Sequence, residues 1–174
     1  SLDRPVLALC PGAEFGEAKR WPSEHYAQVA EAKIREGWQV WLFGSKNDHA
    51  VGEEIRGRLI PGLREESSNL SGETSLAEAI DLLSCADSVV SNDSGLMHVA
   101  AALNRPLVAV YGSTSPGFTP PLADRVEVVR LGIECSPCFD RTCRFGHYNC
   151  LRQLLPQPVN EALQRLQGTV VEVQ

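Results

Sequence analysis

The sequence predicts an α/β domain built on an open, doubly wound parallel sheet. Short apolar runs alternate with helix-patterned segments along most of the chain, the order that parallel pairing with right-handed crossovers requires. The first of these runs is continuously apolar rather than alternating, as a strand covered on both faces is. The loops richest in glycine and hydroxyl residues, 11–22, 44–48, 92–95 and 112–119, fall after the carboxyl ends of strands, where sheets of this kind bind ligands.

The elements follow in order. Val6-Leu7-Ala8-Leu9-Cys10 is the first strand, and Pro11 to Gly16 breaks it into a loop. Ser23 is a candidate N-cap for a helix to Glu36, with Tyr26, Val29, Ala30 and Ile34 at helical spacing and Gly37 as its stop. Gln39 to Phe43 is the second strand, and a helix runs from His49 to Leu59, closed by Ile60-Pro61-Gly62. Arg64 to Gly72 is polar and holds a short strand near Asn69-Leu70. Ser75-Leu76-Ala77-Glu78 is a capping box that starts a helix to Ser84. Strand 88–91, helix 94–103 and strand Pro106 to Tyr111 follow. A loop spans 112–121, Val126 to Val129 is the last strand, and Val159 to Leu166 is a final helix stopped by Gly168, leaving Thr169 to Gln174 as a tail. No internal repeat or low-complexity segment interrupts the pattern.

A chain of 174 residues is long enough for one domain with a sizeable core. A net charge of −6 argues against nucleic acid as a partner, since a phosphate-backbone binder needs a basic stripe. No apolar run approaches membrane-spanning length. The opening Ser1-Leu2-Asp3-Arg4 reads as a segment edge or linker rather than a secretory signal.

Residues 88–103 carry the strongest local signal. An apolar strand enters the turn Asn92-Asp93-Ser94-Gly95, and an Ala-rich helix starts at once. Such a helix start offers unpaired amides and the positive end of the dipole to a phosphate. Asp93 or Ser94 can cap the helix, and Gly95 lets a ligand approach the backbone. An ordinary capped helix has the same pattern, but loop 11–22 adds a second site-like feature. Small Gly12 and Ala13 permit close approach there, and Lys19 with Arg20 brings positive charge to the same edge. His98 shares a helix face with Ser94 and can donate to a phosphate oxygen or a sugar hydroxyl, or serve as a core histidine. His25, His49 and His147 belong to no such constellation.

Taken together, residues Pro11 to Pro22, Leu42-Phe43-Gly44-Ser45 and Asn92 to Pro106 resemble the lipopolysaccharide heptosyltransferases of glycosyltransferase family 9. The resemblance spans most of residues 5–122 and returns weakly in the last helix. It implies a Rossmann-like sheet forming the C-terminal, donor-binding half of a GT-B enzyme, with residues 1–174 as one sugar-nucleotide domain and the N-terminal acceptor domain absent. The implied reaction is inverting transfer of L-glycero-D-manno-heptose from ADP-heptose to the lipopolysaccharide inner core (heptosyl-Kdo2-lipid A). Lys19 is then the catalytic cation at the leaving diphosphate, and the base lies in the missing domain. The implied donor-binding set is Gly12, Ala13, Glu14, Lys19, Ser45, Lys46, Thr74, Asp93, Ser94, Gly95 and His98. Relatives often carry hydroxyl residues at positions 13 and 14, and some carry an acidic residue at 46. No cofactor is required for catalysis, and the expected location is cytoplasmic, at the inner face of the inner membrane. A GT-B domain for another nucleotide sugar, or a non-catalytic nucleotide- or zinc-binding module, is the competing reading.

Six cysteines divide into two groups. Cys10 and Cys85 sit in or beside apolar segments and read as buried, reduced core thiols. Cys135, Cys138, Cys143 and Cys150 crowd into a cysteine-rich loop at 131–150. Their spacing suggests a structural zinc site, with His147 as a substitute ligand. Zinc and free thiols rank level, with disulfides behind them in a cytosolic protein, and an iron–sulfur cluster is less expected than zinc for a transferase.

Overall fold

The computed structural model describes residues 3–168. Six strands form one parallel sheet: β1 (Val6–Cys10), β2 (Gln39–Leu42), β3 (Ser67–Asn69), β4 (Ser88–Asn92), β5 (Leu107–Val110) and β6 (Val126–Val129). Their spatial order is β3-β2-β1-β4-β5-β6, every neighbouring pair parallel. This is the doubly wound order of the Rossmann fold, with its switch point between β1 and β4. Helices cover both faces: α1 (Ser23–Arg35), α2 (His49–Arg58), α3 (Pro61–Arg64), α4 (Leu76–Ser84), α5 (Gly95–Ala102), α6 (Asn149–Arg152) and α7 (Pro156–Gly168).

The alternation of side chains along β1 divides the core in two. Leu7 and Leu9 point into the cluster made with α1, α2 and α7, among Trp21, Tyr26, Val29, Ile55 and Leu163. Val6, Ala8 and Cys10 point the other way, into the cluster made with α4 and α5, among Leu83, Met97 and Ala100. Both layers are dry, which is why the strand is an unbroken apolar run. Buried Lys33 of α1 reaches Glu36 at 2.7 Å and Gln167 of α7 at 3.1 Å, tying two helices of one layer together.

Several boundaries differ from the sequence expectation. Helix α1 takes Pro22 rather than Ser23 at its N-cap, where the missing proline N–H costs nothing. Strand β3 is the short strand expected near Asn69-Leu70, beginning at Ser67 and ending at Asn69, with the Leu70 amide still donating to the Leu42 carbonyl at 2.8 Å. Ile60-Pro61-Gly62 ends α2 as expected but also opens the one-turn α3, with Pro61 in its first turn. The short α6 carries no sequence pattern of its own. Helix α7 begins at Pro156, ahead of Val159, because Pro156 and Pro158 sit in a first turn whose amides need no partner. Cys10 is buried and its thiol is pushed up to about 12 by that burial, so it is an inert core thiol. Cys85 is exposed, contrary to expectation, because it falls just past α4, whose buried stripe is Ala79 and Leu83. The expected tail at Thr169 to Gln174 lies outside the described residues. No described helix is long and apolar enough to cross a membrane.

His25 has a measurable consequence. It is buried on α1 against Trp21, with ring centroids 5.3 Å apart, and its Nδ1 has no hydrogen-bond partner. Burial lowers its pKa below the ordinary imidazole value, against smaller opposing effects of Glu24 and the Leu154 carbonyl. The unfolded chain therefore takes up this proton first on acidification, and stability is lost as pH falls through the ordinary value of about 6.5. Melting temperature should fall more steeply in the wild type than in His25→Phe between about pH 7.5 and about pH 5.5. Parallel curves would show that His25 does not couple to folding.

Candidate functional site

The carboxyl edge of the sheet carries a cavity of about 670 Å³. Its walls come from the loops after β1, β2 and β4, from α4, and from Thr119 in the loop after β5. Gly12, Ala13, Glu14, Lys19, Ser45, Thr74, Asp93, Ser94, Gly95 and His98 all line it. Lys46 does not: it is exposed outside the cavity wall, with its backbone packed where a Cβ on Gly72 would stand, at 2.7 Å. The acidic side chain that the loop after β2 brings to the cavity is Asp48, which the sequence pattern did not single out. It caps the turn at Lys46–Asp48, its Oδ2 accepting from the Ser45 amide at 2.9 Å and hydroxyl at 2.7 Å. The same carboxylate crowds Gly12, where an added Cβ would lie 2.5 to 2.7 Å from its atoms.

Asn92 holds the edge together. Its Nδ2 donates to the Pro11 carbonyl at 2.7 Å, while its Oδ1 accepts from the Trp21 amide at 3.1 Å and the Tyr26 hydroxyl at 3.0 Å. One fully buried carboxamide thus fixes both ends of loop 11–22 to the end of β4. Trp21 completes the anchor: its indole N–H donates to the Leu154 carbonyl at 2.7 Å, and its ring packs edge-on to Tyr26. The loop is therefore short of freedom before any ligand arrives.

Lys19 and Asp93 meet inside that frame. Lys19 Nζ lies 2.8 Å from Asp93 Oδ2, with the two side chains only 12% and 3% exposed. Such a pair is nearly dry, so its attraction is strong and each partner is costly to strand alone. Asp93 Oδ2 also accepts from the hydroxyls of Thr114 at 2.6 Å and Thr119 at 3.1 Å. The carboxylate is thus a support for Lys19 and for the loop after β5 rather than the helix cap foreseen for it. Tyr111 closes the same region, its hydroxyl donating to the Thr119 carbonyl at 2.5 Å and its pKa raised to about 12, first by burial and then by the Asp93 charge. Lys19 also stands 4.6 Å from the centroid of the Phe15 ring. Arg20 does not line the cavity; it approaches the lining residue Asp48 at 3.8 Å from a neighbouring surface, so the basic pair divides.

Helix α5 starts at the other side of Asp93. Neither Asp93 nor Ser94 caps it with a side chain; Ser94 is extended, and its hydroxyl instead meets that of Ser91 at 3.3 Å. The first amides of α5 thus face the cavity region without a side-chain oxygen in the capping position, the condition in which a helix start attracts an anion. His98 is exposed one turn on. Leu76, Ala79, Leu96 and Val99 supply an apolar wall between α4 and α5. A flat base can lie against such a wall while charged groups meet the cation and the amides.

These features define a Rossmann-like α/β domain with a cavity at the carboxyl edge of its sheet, where one nearly buried lysine stands close to one helix start. The chain belongs to glycosyltransferase family 9 (heptosyltransferase), whose family model matches residues 1–149. It is 58% identical over 129 residues to lipooligosaccharide heptosyltransferase 2 of Haemophilus influenzae, covering 74% of this chain and 37% of that protein. The structure of Escherichia coli ADP-heptose lps heptosyltransferase II is similar with a TM-score of 0.86 and 49% identity, covering 95% of this chain and 47% of that one. Escherichia coli heptosyltransferase WaaC with ADP is similar with a TM-score of 0.74 and 25% identity, covering 95% of this chain and 46% of that one. The chain spans less than half the length of these relatives.

The cysteine-rich loop lies beside this site, outside the cavity lining. Its four cysteines are free thiols in one neighbourhood. Among the described residues no three His, Cys, Asp or Glu side chains are gathered into metal-ligating geometry.

Asn92 allows a direct test of the frame. Asn92→Ala would leave the Pro11 carbonyl and the Trp21 amide unpaired in a buried interior and the Tyr26 hydroxyl with only its long bond to the Cys10 carbonyl at 3.4 Å, at a cost of about 3 kcal/mol. Chemical denaturation should show that loss, with Tm lower by about 10 °C. A loss under about 1 kcal/mol would mean that water replaces the carboxamide.

Proposed function

We propose that this chain is the donor-binding, C-terminal half of an inverting GT-B heptosyltransferase. Its substrate is ADP-heptose, from which L-glycero-D-manno-heptose moves to the lipid A-linked inner core of lipopolysaccharide. The observation that carries this reading is the convergence of the Lys19 ammonium and the start of α5 on one cavity with an apolar wall. The family match and the similarity to the ADP-heptose enzyme and to the ADP-bound structure support the choice of nucleotide.

In this reading the diphosphate lies between Lys19 and the amides of Ser94, Gly95 and Leu96. Gly12 and Ala13 leave room for it, and Glu14 and Ser45 flank it. The adenine rests on the wall of Leu76, Ala79, Leu96 and Val99, with Thr74 at its edge. His98 donates to a phosphate oxygen or a heptose hydroxyl. Asp93 holds Lys19 in place and presents its carboxylate near the sugar.

The chemistry is a single displacement. An acceptor hydroxyl oxygen bonds to the anomeric carbon as the bond from that carbon to ADP breaks, and ADP departs with the electron pair. Negative charge grows on the diphosphate in the transition state, where a fixed ammonium and fixed amides stabilise it more than they stabilise the bound donor. The acceptor proton passes to a base on the companion N-terminal domain, which also holds the acceptor. The enzyme works in the cytoplasm at the inner face of the inner membrane.

Calorimetric titration of the chain with ADP, ADP-heptose and UDP tests this. ADP and ADP-heptose should bind and UDP should bind more weakly. Lys19→Ala should weaken ADP by about tenfold to a hundredfold, the worth of one charge-assisted contact. The chain alone should show no heptose transfer. Preference for UDP would assign the site to another nucleotide sugar, and unchanged ADP affinity in Lys19→Ala would remove the lysine from the diphosphate.

A further inference from the structure

Residues 130–148, between β6 and α6, hold no helix or strand. Stretches of more than about 12–15 such residues are uncommon in compact domains unless they serve a function. This one is pinned to the loop that carries Lys19. The Ala18 amide, next to Lys19, donates to the Arg141 carbonyl at 3.1 Å, and Gly16 passes so close to that carbonyl that a Cβ would collide with it. The Cys138 and Phe139 amides donate to the Ser113 carbonyl at 3.0 and 2.7 Å, and the Tyr148 hydroxyl donates to Glu17 at 3.2 Å. The backbone of Arg141 is thereby held against the loop just ahead of Lys19.

Its side chain goes to the same place. The Arg141 guanidinium stands 5.1 Å from the centroid of the Phe15 ring, which Lys19 Nζ faces at 4.6 Å. Phe15 and Lys19 line the cavity, and Arg141 stands exposed at its rim. Among the described residues no carboxylate comes within ion-pair distance of Arg141: the adjacent Asp140 is taken by Arg144 at 2.7 Å, and Glu17 accepts from Tyr148. An arginine held against an aromatic face keeps its planar fork of N–H donors open to a bidentate anion.

The cavity is short of positive charge for an anionic ligand. Its lining sets the Lys19 ammonium against the carboxylates of Glu14, Asp48 and Asp93. Asp93 already engages that ammonium at 2.8 Å. A diphosphate carries more than one negative charge, and a helix start offers only about half an elementary charge. Arg20 is engaged with Asp48 at 3.8 Å, and Lys46 lies outside the cavity wall. Of these further cations Arg141 alone is both unpaired and stacked on a lining side chain.

We propose that Arg141 is a second diphosphate-binding cation of the donor site, meeting the phosphates from the rim while Lys19 meets them from the wall. The inference rests on the function proposed above and extends that site to the segment between β6 and α6. The guanidinium supplies the charge that Asp93 withdraws from Lys19, and the fork fits two phosphate oxygens at once.

Calorimetric titration of the wild-type chain, Arg141→Gln, Arg141→Lys and Arg144→Gln with ADP, adenosine and inorganic pyrophosphate tests this. Arg141→Gln should weaken ADP by about tenfold, leave adenosine unchanged and keep the wild-type Tm. Arg141→Lys, which keeps the charge and loses the fork, should fall between Arg141→Gln and the wild type. Arg144→Gln should bind ADP as the wild type does, because that guanidinium is committed to Asp140. Raising the ionic strength from about 0.05 to about 0.5 M should narrow the gap between the wild type and Arg141→Gln, since an exposed charge is screened. Undiminished ADP binding by Arg141→Gln would overturn the assignment. So would equal losses for ADP and adenosine, or an Arg141→Lys no better than Arg141→Gln, because either result makes Arg141 a packing residue on Phe15. If the wild type binds pyrophosphate and not ADP, the nucleotide reading fails, and the effect of Arg141→Gln on pyrophosphate still decides the cation. Binding of neither would overturn both.

Discussion

The buried carboxamide of Asn92 is the constraint on which the rest of the site depends. A loop between a strand and a helix is ordinarily the loosest part of an α/β unit. Here both of its ends are bonded to the last residue of the neighbouring strand. An asparagine suits this position because it offers donors and an acceptor on one rigid plane. Aspartate would supply no donor for Pro11, and leucine would satisfy none of the three partners. The cost of stranding those partners in a dry core exceeds the net gain of making the bonds, so the arrangement is all or none. Lys19 inherits its position from that rigidity.

Electrostatics build on the frame. A lysine beside a cavity in water would spread over many rotamers, and an arriving anion would have to order it. Asp93 removes most of that disorder in advance. Its own burial is tolerable because one oxygen takes the ammonium and two threonine hydroxyls. The arrangement has a corollary for affinity. An anion entering the cavity shares Lys19 with Asp93, so the gain is smaller than for a free ammonium, and the amides of α5 supply the remainder. Under the proposed function, a site made this way would exert its advantage as charge accumulates on the departing group.

The sheet was legible because its signals are local. The apolar run of β1 and the Ser75 to Glu78 capping box describe themselves, and the alternation of strands and helices leaves few topologies. The cavity was legible because the small-residue loops share one edge of the sheet. What escaped depends on contacts between distant segments. Nothing around Asn92 distinguishes it from a turn residue, and its partners lie 66 to 81 positions away. The position four residues past the second strand drew attention to Lys46, yet the turn there points Asp48 inward through a cap that spans three residues. A closer reading of Ser45-x-x-Asp48 as a capping pattern could have found it, since the same pattern was read at Ser75. Asp93 was legible as a residue of this edge but not as the anchor of Lys19, because that role needs Thr114 and Thr119 folded over it.

The Lys19 loop is therefore suspended between two unlike supports. Asn92 and Trp21 grip it from the core, and residues 130–148, between β6 and α6, press on it from outside through Arg141 and Tyr148. The inner support is made of hydrogen bonds in a dry interior and is as stable as the sheet. The outer one belongs to a segment with exposed backbone and few buried apolar contacts, the kind that opens well below the global unfolding energy. Any cross-link that closes that segment lowers the entropy of the open state and holds Phe15, and with it the lysine, in one place. The Lys19 edge then owes its position to the core and its stiffness to the outer segment, and only the second can be altered without unfolding the sheet.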